Sequence, residues 1–185
     1  MSDDFARLQG ARCRLRPYAT ADIPHLARLA NDRLVTRWMT ARFPYPYTLS
    51  DAENWIAKAV LEHPVNTFVI EVEGAFAGSV AILPHDGEGR GIAEFGYWLG
   101  REFWGRGIAA EAARILADFA LTTRELRRLE ARVWEPNIAS VRVLESAGFV
   151  REATLRSGVV DREGTVSNLL IFGRLATDSS PLDRS

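Results

Sequence analysis

The chain has 185 residues, 47 % of them hydrophobic and 25 % charged, the size and mix of one ordinary globular domain. Its 23 basic and 24 acidic residues leave a net charge of −1, which argues against a surface built to grip nucleic acid or anionic lipid. One cysteine, Cys13, excludes an intrachain disulfide and a cysteine-based zinc cluster, and His25, His63 and His85 are too scattered for a metal motif.

The first residues, Met1-Ser-Asp-Asp-Phe-Ala-Arg7, are acidic and lack an apolar core, so no secretory signal is read there. No apolar run approaches the ~18 residues of a membrane span, and the cytoplasm is the expected compartment. Ala11-Arg-Cys-Arg-Leu-Arg-Pro17 alternates small or apolar with charged residues, a first strand with one wet face. That alternation turns Arg12 and Arg14 away from Cys13 and makes the thiol a packing residue. A helix follows over Thr20–Asn31, with Thr20 as its cap, Asp22 near its positive end, and Ile23, Leu26, Ala27 and Ala30 on one face. A short helical piece is expected over Leu34–Met39.

Arg42–Thr48 is an aromatic, proline-punctuated loop. Ser50 and Glu53 have capping-box spacing and predict a helix to about His63, with Trp55, Ile56, Ala59 and Val60 on one side. Strands are expected at Thr67–Val72 and Ala77–Leu83, joined around Glu73-Gly74, and again at Ile92–Leu99. From Gly105 the period changes: Ile108, Ala112, Ile115, Leu116 and Phe119 mark an amphipathic helix. Leu129–Trp134 is a strand and Ile138–Ala147 a helix stopped by Gly148. Phe149–Leu155 and Val166–Phe172 close the chain as an antiparallel pair. Strands interspersed with helices give an α+β sheet with helices on its faces. One domain is expected over 1–185, with its core at 11–175 and a polar tail at 176–185.

Two segments carry chemistry. In Tyr97-Trp-Leu-Gly-Arg-Glu-Phe-Trp-Gly-Arg-Gly-Ile-Ala109 a strand ends, Gly105 and Gly107 make a turn, and a helix begins at once. Unpaired first-turn amides, the positive end of the helix, close backbone approach at glycine and the Arg106 cation together suit a phosphate or pyrophosphate. The same residues also fit a plain strand-to-helix turn. It is not a P-loop, and it lacks the third glycine of a dinucleotide fingerprint. In the second segment, Asn137 and Ser140 share the first turn of a helix, as ligand contacts or as an ordinary cap and a solvated hydroxyl.

Together these segments resemble the acetyl-CoA-binding motifs of the GNAT superfamily of N-acetyltransferases. Trp104-Gly-Arg-Gly-Ile-Ala109 is similar to its pyrophosphate motif, and Asn137-Ile-Ala-Ser140 with Gly148-Phe149 to its Asn-x-x-Ser…Gly-Phe segment. Arg14-Leu-Arg-Pro17, Tyr45-Pro-Tyr-Thr48 and Gly96-Tyr-Trp-Leu99 look like the ribosomal-protein N-terminal acetyltransferase branch. The resemblance covers about Arg12 to Leu175. Trp104 stands where Arg or Gln is usual, Leu144 where many members carry a thiolate-protonating tyrosine, Ser146 in place of a frequent Lys, and Asn168 in place of a frequent Asp.

The resemblance implies a single GNAT-like α+β domain: a mixed, mostly antiparallel, twisted sheet of about seven strands with helices on both faces. It implies direct transfer of the acetyl group of acetyl-CoA to a primary amine, of a protein N-terminus or a small molecule, with no metal, nucleic acid or membrane and as a monomer or homodimer. An acetyl-CoA-binding sensor or interaction domain without catalysis is the alternative. Trp98, Leu99 and Gly100 would meet the pantetheine arm. The segment Trp104, Gly105, Arg106, Gly107, Ile108, Ala109 and Ala110 would hold the pyrophosphate, and Asn137 would bond the arm. An amine with a pKa of about 8–10 must lose a proton before it attacks, and Glu94 is the expected base, ahead of Glu71 and Glu73. Ser140 is the expected donor to the leaving thiolate. Trp38, Phe43, Tyr45 and Tyr47 are expected to line the acceptor groove.

Overall fold

The computed structural model describes residues 8–178. In chain order it contains β1 (Arg14–Arg16), α1 (Ile23–Ala30), α2 (Arg33–Thr36), α3 (Leu49–Ala59), β2 (Thr67–Val72), β3 (Ala75–Pro84) and β4 (Ile92–Leu99). Then come α4 (Ile108–Thr123), β5 (Arg128–Trp134), α5 (Ile138–Ser146), β6 (Val150–Val160) and β7 (Val166–Leu175). The expected polar tail beyond 178 and the residues before 8 lie outside the described residues.

The strands form one seven-stranded sheet in the order β1-β2-β3-β4-β5-β7-β6. Neighbours are antiparallel except β4 and β5, which are parallel because α4 carries the chain back between them. That parallel pair is short: Ile92, Ala93 and Glu94 face Arg128, Leu129 and Glu130, and pairing stops there. Beyond it, β4 keeps only β3 and β5 keeps only β7, so the sheet opens into a gap between Phe95–Leu99 and Ala131–Trp134.

Helices cover both faces, and all six residues of β2 are buried between them. On one face α4 buries Ile108, Ala112, Ile115, Leu116 and Phe119, the stripe its period predicts. Phe119 meets Phe68 of β2 edge-on, with ring centres 6.5 Å apart. Side chains this size contribute about 1.5–3 kcal/mol each when fully removed from water. On the other face Tyr18, Phe76, Trp98, Phe43 and Tyr47 form a chain of ring contacts under α1 and α3.

Several local expectations are corrected. The box that starts α3 is formed by Thr48 and Asp51, not Ser50 and Glu53: Asp51 accepts from the Thr48 amide at 2.8 Å, and Thr48 Oγ1 accepts from the Asp51 amide at 3.2 Å. The helix stops at Ala59, and its buried side chains are Ala52 and Ile56, while Trp55 and Val60 are exposed. Thr20 caps nothing. Asp22 instead accepts from the Ala19 amide at 2.8 Å and is buried in a two-bond pair with Arg16. The first strand shrinks to three residues because the amides of Ala11, Arg12 and Cys13 turn from the sheet to the carboxylate of Glu111, at 3.2, 2.7 and 3.0 Å. Cys13 is buried there as expected, and burial together with the Glu111 charge pushes its thiol up to about 12.

Candidate active site at the parted strands

One half of the candidate site is built where β4 ends. The Gly100 amide donates to Ala77 at 2.8 Å, and the Trp104 indole N–H donates to the Leu99 carbonyl at 2.7 Å. Trp104 thus ties the strand end to the following turn. Gly105 and Gly107 both have φ of +73°, a conformation that a Cβ disfavours. Gly107 caps α4 with no side-chain bond, and the first amide to find an intrahelical acceptor is that of Glu111, to Gly107 at 3.1 Å. The amides of Ile108, Ala109 and Ala110 are therefore left at a positive helix end. The Ile108 side chain is buried, so it offers the site only its backbone.

Arg106 is exposed beside this turn. Arg12, which the sequence reading assigns no site role, also reaches it: a Cβ on Gly107 would lie 3.4 Å from Arg12 Nε. Ninety-odd residues separate the two, and no local pattern announces the contact. Both arginines line a depression of about 620 Å³ with Gln9, Arg14 and Glu73.

Across the gap, Asn137 caps α5 by accepting from the Ser140 amide at 3.3 Å. Ser140 Oγ lies 2.7 Å from the hydroxyl of Tyr97 on β4, which also approaches the Ser140 carbonyl at 3.3 Å. Ser140 is thus no isolated surface hydroxyl. Burial raises the Tyr97 phenol well above its ordinary 10, and the serine bond offsets only part of that. Leu144 is packed into the core.

On the opposite face of β4, alternation puts Glu94, Gly96 and Trp98 together. Glu94 is half-buried, and its carboxylate has no hydrogen-bond or ion-pair partner among the described residues. Glu71, a weaker candidate base, is consumed by two arginines: Arg14 and Arg16 each donate to it at 2.5 Å. Glu73 sits in the β2–β3 turn and lines the depression by Arg12, away from Glu94.

Of the four expected acceptor-groove residues, only Phe43 meets the Trp98 ring among the described residues, and Tyr47 packs against Phe43. The Phe43 ring centre is 5.9 Å from that of Trp98 and 5.0 Å from that of Tyr47. Tyr47 is nearly fully buried, its amide bonded to Asn31 Oδ1 at 3.1 Å, and burial with the Asp51 charge raises its phenol to about 12. It is a packed core residue rather than an exposed phenol. Tyr45 is exposed, and Trp38 lies under the Arg37 guanidinium at 4.5 Å; neither makes a ring contact with Trp98. The segment carrying Trp38 and Phe43 is held by Arg162, at the tip of the β6–β7 hairpin. Its guanidinium donates to the carbonyls of Thr36 at 3.1 Å and Thr40 at 2.9 Å, and to that of Phe43. Glu163 adds an ion pair to Arg33 at 2.6 Å. No helix among the described residues is long and apolar enough to cross a membrane.

Residues 12–150 match the family model of the acetyltransferase (GNAT) domain. An uncharacterised N-acetyltransferase of Bacillus licheniformis, p20, is 35 % identical over 151 residues, 78 % of this chain and 83 % of that one. The spermidine N(1)-acetyltransferase of Escherichia coli is 28 % identical over 143 residues, 77 % and 75 % of the two chains. The solved structure of Mycobacterium smegmatis RimJ in complex with CoA-disulfide superposes with a TM-score of 0.78 at 26 % identity, over 93 % of this chain and 87 % of that one.

Proposed function

The chain belongs to the GNAT acetyltransferase family, and from that premise we propose that it moves the acetyl group of acetyl-CoA directly to a primary amine at the gap between β4 and β5. The observation that carries this reading is the gap itself. A strand edge left without a partner can receive an extended ligand as if it were another strand, and this one leads straight into an anion-binding turn.

In this reading the amides of Ile108, Ala109 and Ala110, with Arg106 and Arg12, hold the pyrophosphate. The pantetheine arm runs along Trp98, Leu99 and Gly100. The Leu99 carbonyl there already accepts one bond, from the Trp104 indole. Asn137 uses Oδ1 for its cap and keeps Nδ2 for the arm. Glu94 removes a proton from the incoming ammonium, directly or through water, and the neutral amine attacks the thioester carbonyl. The N–C bond forms, the C–S bond breaks with its electron pair left on sulfur, and the nitrogen gives up its second proton to solvent. A thiolate with a pKa of about 8.5 leaves readily, so Ser140 need only ease its departure.

The acceptor face supports a singly charged amine, such as a protein N-terminus or a small monoamine, over a polycation. Beside Glu94, the facing carboxylate on β5 is Glu130, which accepts from Arg128 at 2.8 Å, a guanidinium it shares with Glu152. The leucine at 144, with no hydroxyl to protonate a thiolate, would favour a sensor without catalysis, but a serine hydroxyl near the same gap supplies another donor.

The test is an acceptor screen read as free thiol released from acetyl-CoA, with N-terminal peptides, monoamines and polyamines as parallel arms. Release with peptides or monoamines, and less with spermidine, is the expected result. Tight acetyl-CoA binding by calorimetry with no release in any arm would replace this reading with the sensor.

A further inference from the structure

We propose that Tyr97 is a positioning residue for the leaving group: its phenol donates to Ser140 Oγ and so turns the serine's own hydrogen toward the sulfur. This rests on the acetyltransfer reading above and extends it to a residue on the opposite wall of the gap. Tyr97 lies on β4 beyond the last β4–β5 pair, and its ring crosses to the first turn of α5. Two contacts are open to its hydroxyl, Ser140 Oγ at 2.7 Å and the Ser140 carbonyl at 3.3 Å. The shorter is the ordinary length of an O–H···O bond and the longer is beyond it.

The direction of the bond follows from the chemistry of the two groups. A phenol is more acidic than an alcohol and is the better donor, and a buried phenol that did not donate would leave a costly unsatisfied O–H. Burial also keeps Tyr97 protonated across the working pH range. With Tyr97 donating, Ser140 Oγ accepts one bond and its own hydrogen is free to aim elsewhere. Its backbone N–H is fixed on Asn137, so the hydroxyl rotates about a held turn.

The pair supplies a hydrogen bond, not a net proton. Serine alkoxide is far more basic than a thiolate of pKa about 8.5, so full transfer from Ser140 to sulfur runs uphill. As the C–S bond breaks, negative charge collects on sulfur and the Ser140 hydrogen bond strengthens, because bonds to charged acceptors are stronger than neutral ones. The thiolate then takes its proton from water. Tyr97 touches neither sulfur nor acetyl group, and acts only through Ser140.

The experiment compares wild type, Tyr97→Phe, Ser140→Ala and the double variant. Phenylalanine keeps the ring and its packing. The first readout is the thiol pKa of bound coenzyme A, followed as thiolate absorbance against pH. It needs no amine and no turnover. The second is kcat with the amine found by the acceptor screen, with the KM for acetyl-CoA and the melting temperature as controls. Ser140→Ala is expected to cost about tenfold in kcat, and Tyr97→Phe several-fold. The double variant should lose no more than Ser140→Ala alone, with acetyl-CoA KM unchanged throughout. Bound thiol pKa should rise in both single variants, and the double should add nothing.

Losses that multiply in the double variant would overturn the proposal, because Tyr97 would then act independently of Ser140. So would a Tyr97→Phe variant with wild-type thiol pKa beside a shifted Ser140→Ala. A wild-type protein that lowers the thiol pKa of coenzyme A yet acetylates no amine would sink the acetyltransfer reading and leave the Tyr97–Ser140 arrangement standing.

Discussion

The two sides of the gap in the sheet are held together by different physics. On the cofactor side, one continuous stretch from Trp98 to Ala110 supplies a strand edge, a turn with two left-handed glycines and a helix start. Its binding groups are mostly backbone amides, fixed by φ and ψ and by bonds such as Trp104 to Leu99. On the acceptor side the parts come from remote places: Glu94 on β4, the aromatic segment around Phe43, and Arg162 on the last hairpin. Its groups are side chains, and the segment around Phe43 depends on Arg162, more than a hundred residues away in sequence. A backbone site tolerates most side-chain exchanges and fails at its glycines; a side-chain site fails wherever one of its long-range ties is cut.

The sharpest way to break the backbone side is Gly107→Glu. The substitution forces a left-handed φ of +73° on a residue with a Cβ, at about 1–2 kcal/mol, and puts a carboxylate where two arginines and three free amides await an anion. Acetyl-CoA affinity should fall by orders of magnitude in calorimetry while the fold survives. Gly107→Ala carries the strain without the charge and should fall between. Wild-type binding in the glutamate variant would move the pyrophosphate elsewhere.

The same contrast predicts that Glu94→Gln spares the cofactor side. Turnover should drop about 10²–10⁴-fold, the ordinary worth of a general base, with acetyl-CoA affinity nearly unchanged. The loss should be greatest at low pH, where the amine is most protonated, and shrink as solvent deprotonates it. A variant with the wild-type pH–rate profile would return Glu94 to the surface of the sheet.

Glu111, like Arg12 beside Gly107, is a long tie on the cofactor side, and it tests whether that side is as self-contained as its sequence. Burial pushes its carboxyl up, but the amides of Arg12, Cys13 and Ala11 outweigh that and hold it below the ordinary 4.5. A group whose folded pKa is depressed stabilises the fold above its unfolded pKa and loses that contribution as pH falls through the folded value. Glu111→Gln leaves buried amides short of an acceptor and should cost about 1–3 kcal/mol at neutral pH. The difference from wild type should narrow below pH 4.5, read by denaturant unfolding. A constant difference across that range would assign the loss to packing alone.

How much of this was legible in the chain follows the same division. Ile92–Leu99 matches β4 residue for residue, the Glu73-Gly74 hairpin has both residues at positive φ, and Gly148 ends α5 at φ +85°, because each is fixed by local pattern. The α3 cap was misplaced by two residues because Thr48–Asp51 and Ser50–Glu53 are the same local signal. A tertiary contact decides between them: Tyr47 is buried with its amide on Asn31, and that sets where the helix begins. Arg12 beside Gly107, Tyr97 on Ser140 and Arg162 on the aromatic segment were not legible at all. Each is a side chain meeting a partner brought by the sheet, with no spacing rule to reveal it.

Arg162 therefore gives the mildest and most discriminating test of the side-chain half. Its planar guanidinium serves three carbonyls of residues 36–43, a geometry one ammonium cannot reproduce. These bonds are largely exposed, so their combined worth is a fraction of the buried value, about tenfold in acceptor binding or roughly 1.4 kcal/mol. Arg162→Ala should raise the KM for the amine by that factor, leave the KM for acetyl-CoA alone, and speed hydrogen exchange across 36–43. Arg162→Lys should recover part of the loss, since charge returns without the fork. The ring contacts of Phe43 with Trp98 and Tyr47 do not involve Arg162, and they are the competing anchor. If amine KM and exchange both stay at wild-type values, those rings alone hold the segment, and the acceptor side is less dependent on remote ties than its hydrogen bonds suggest.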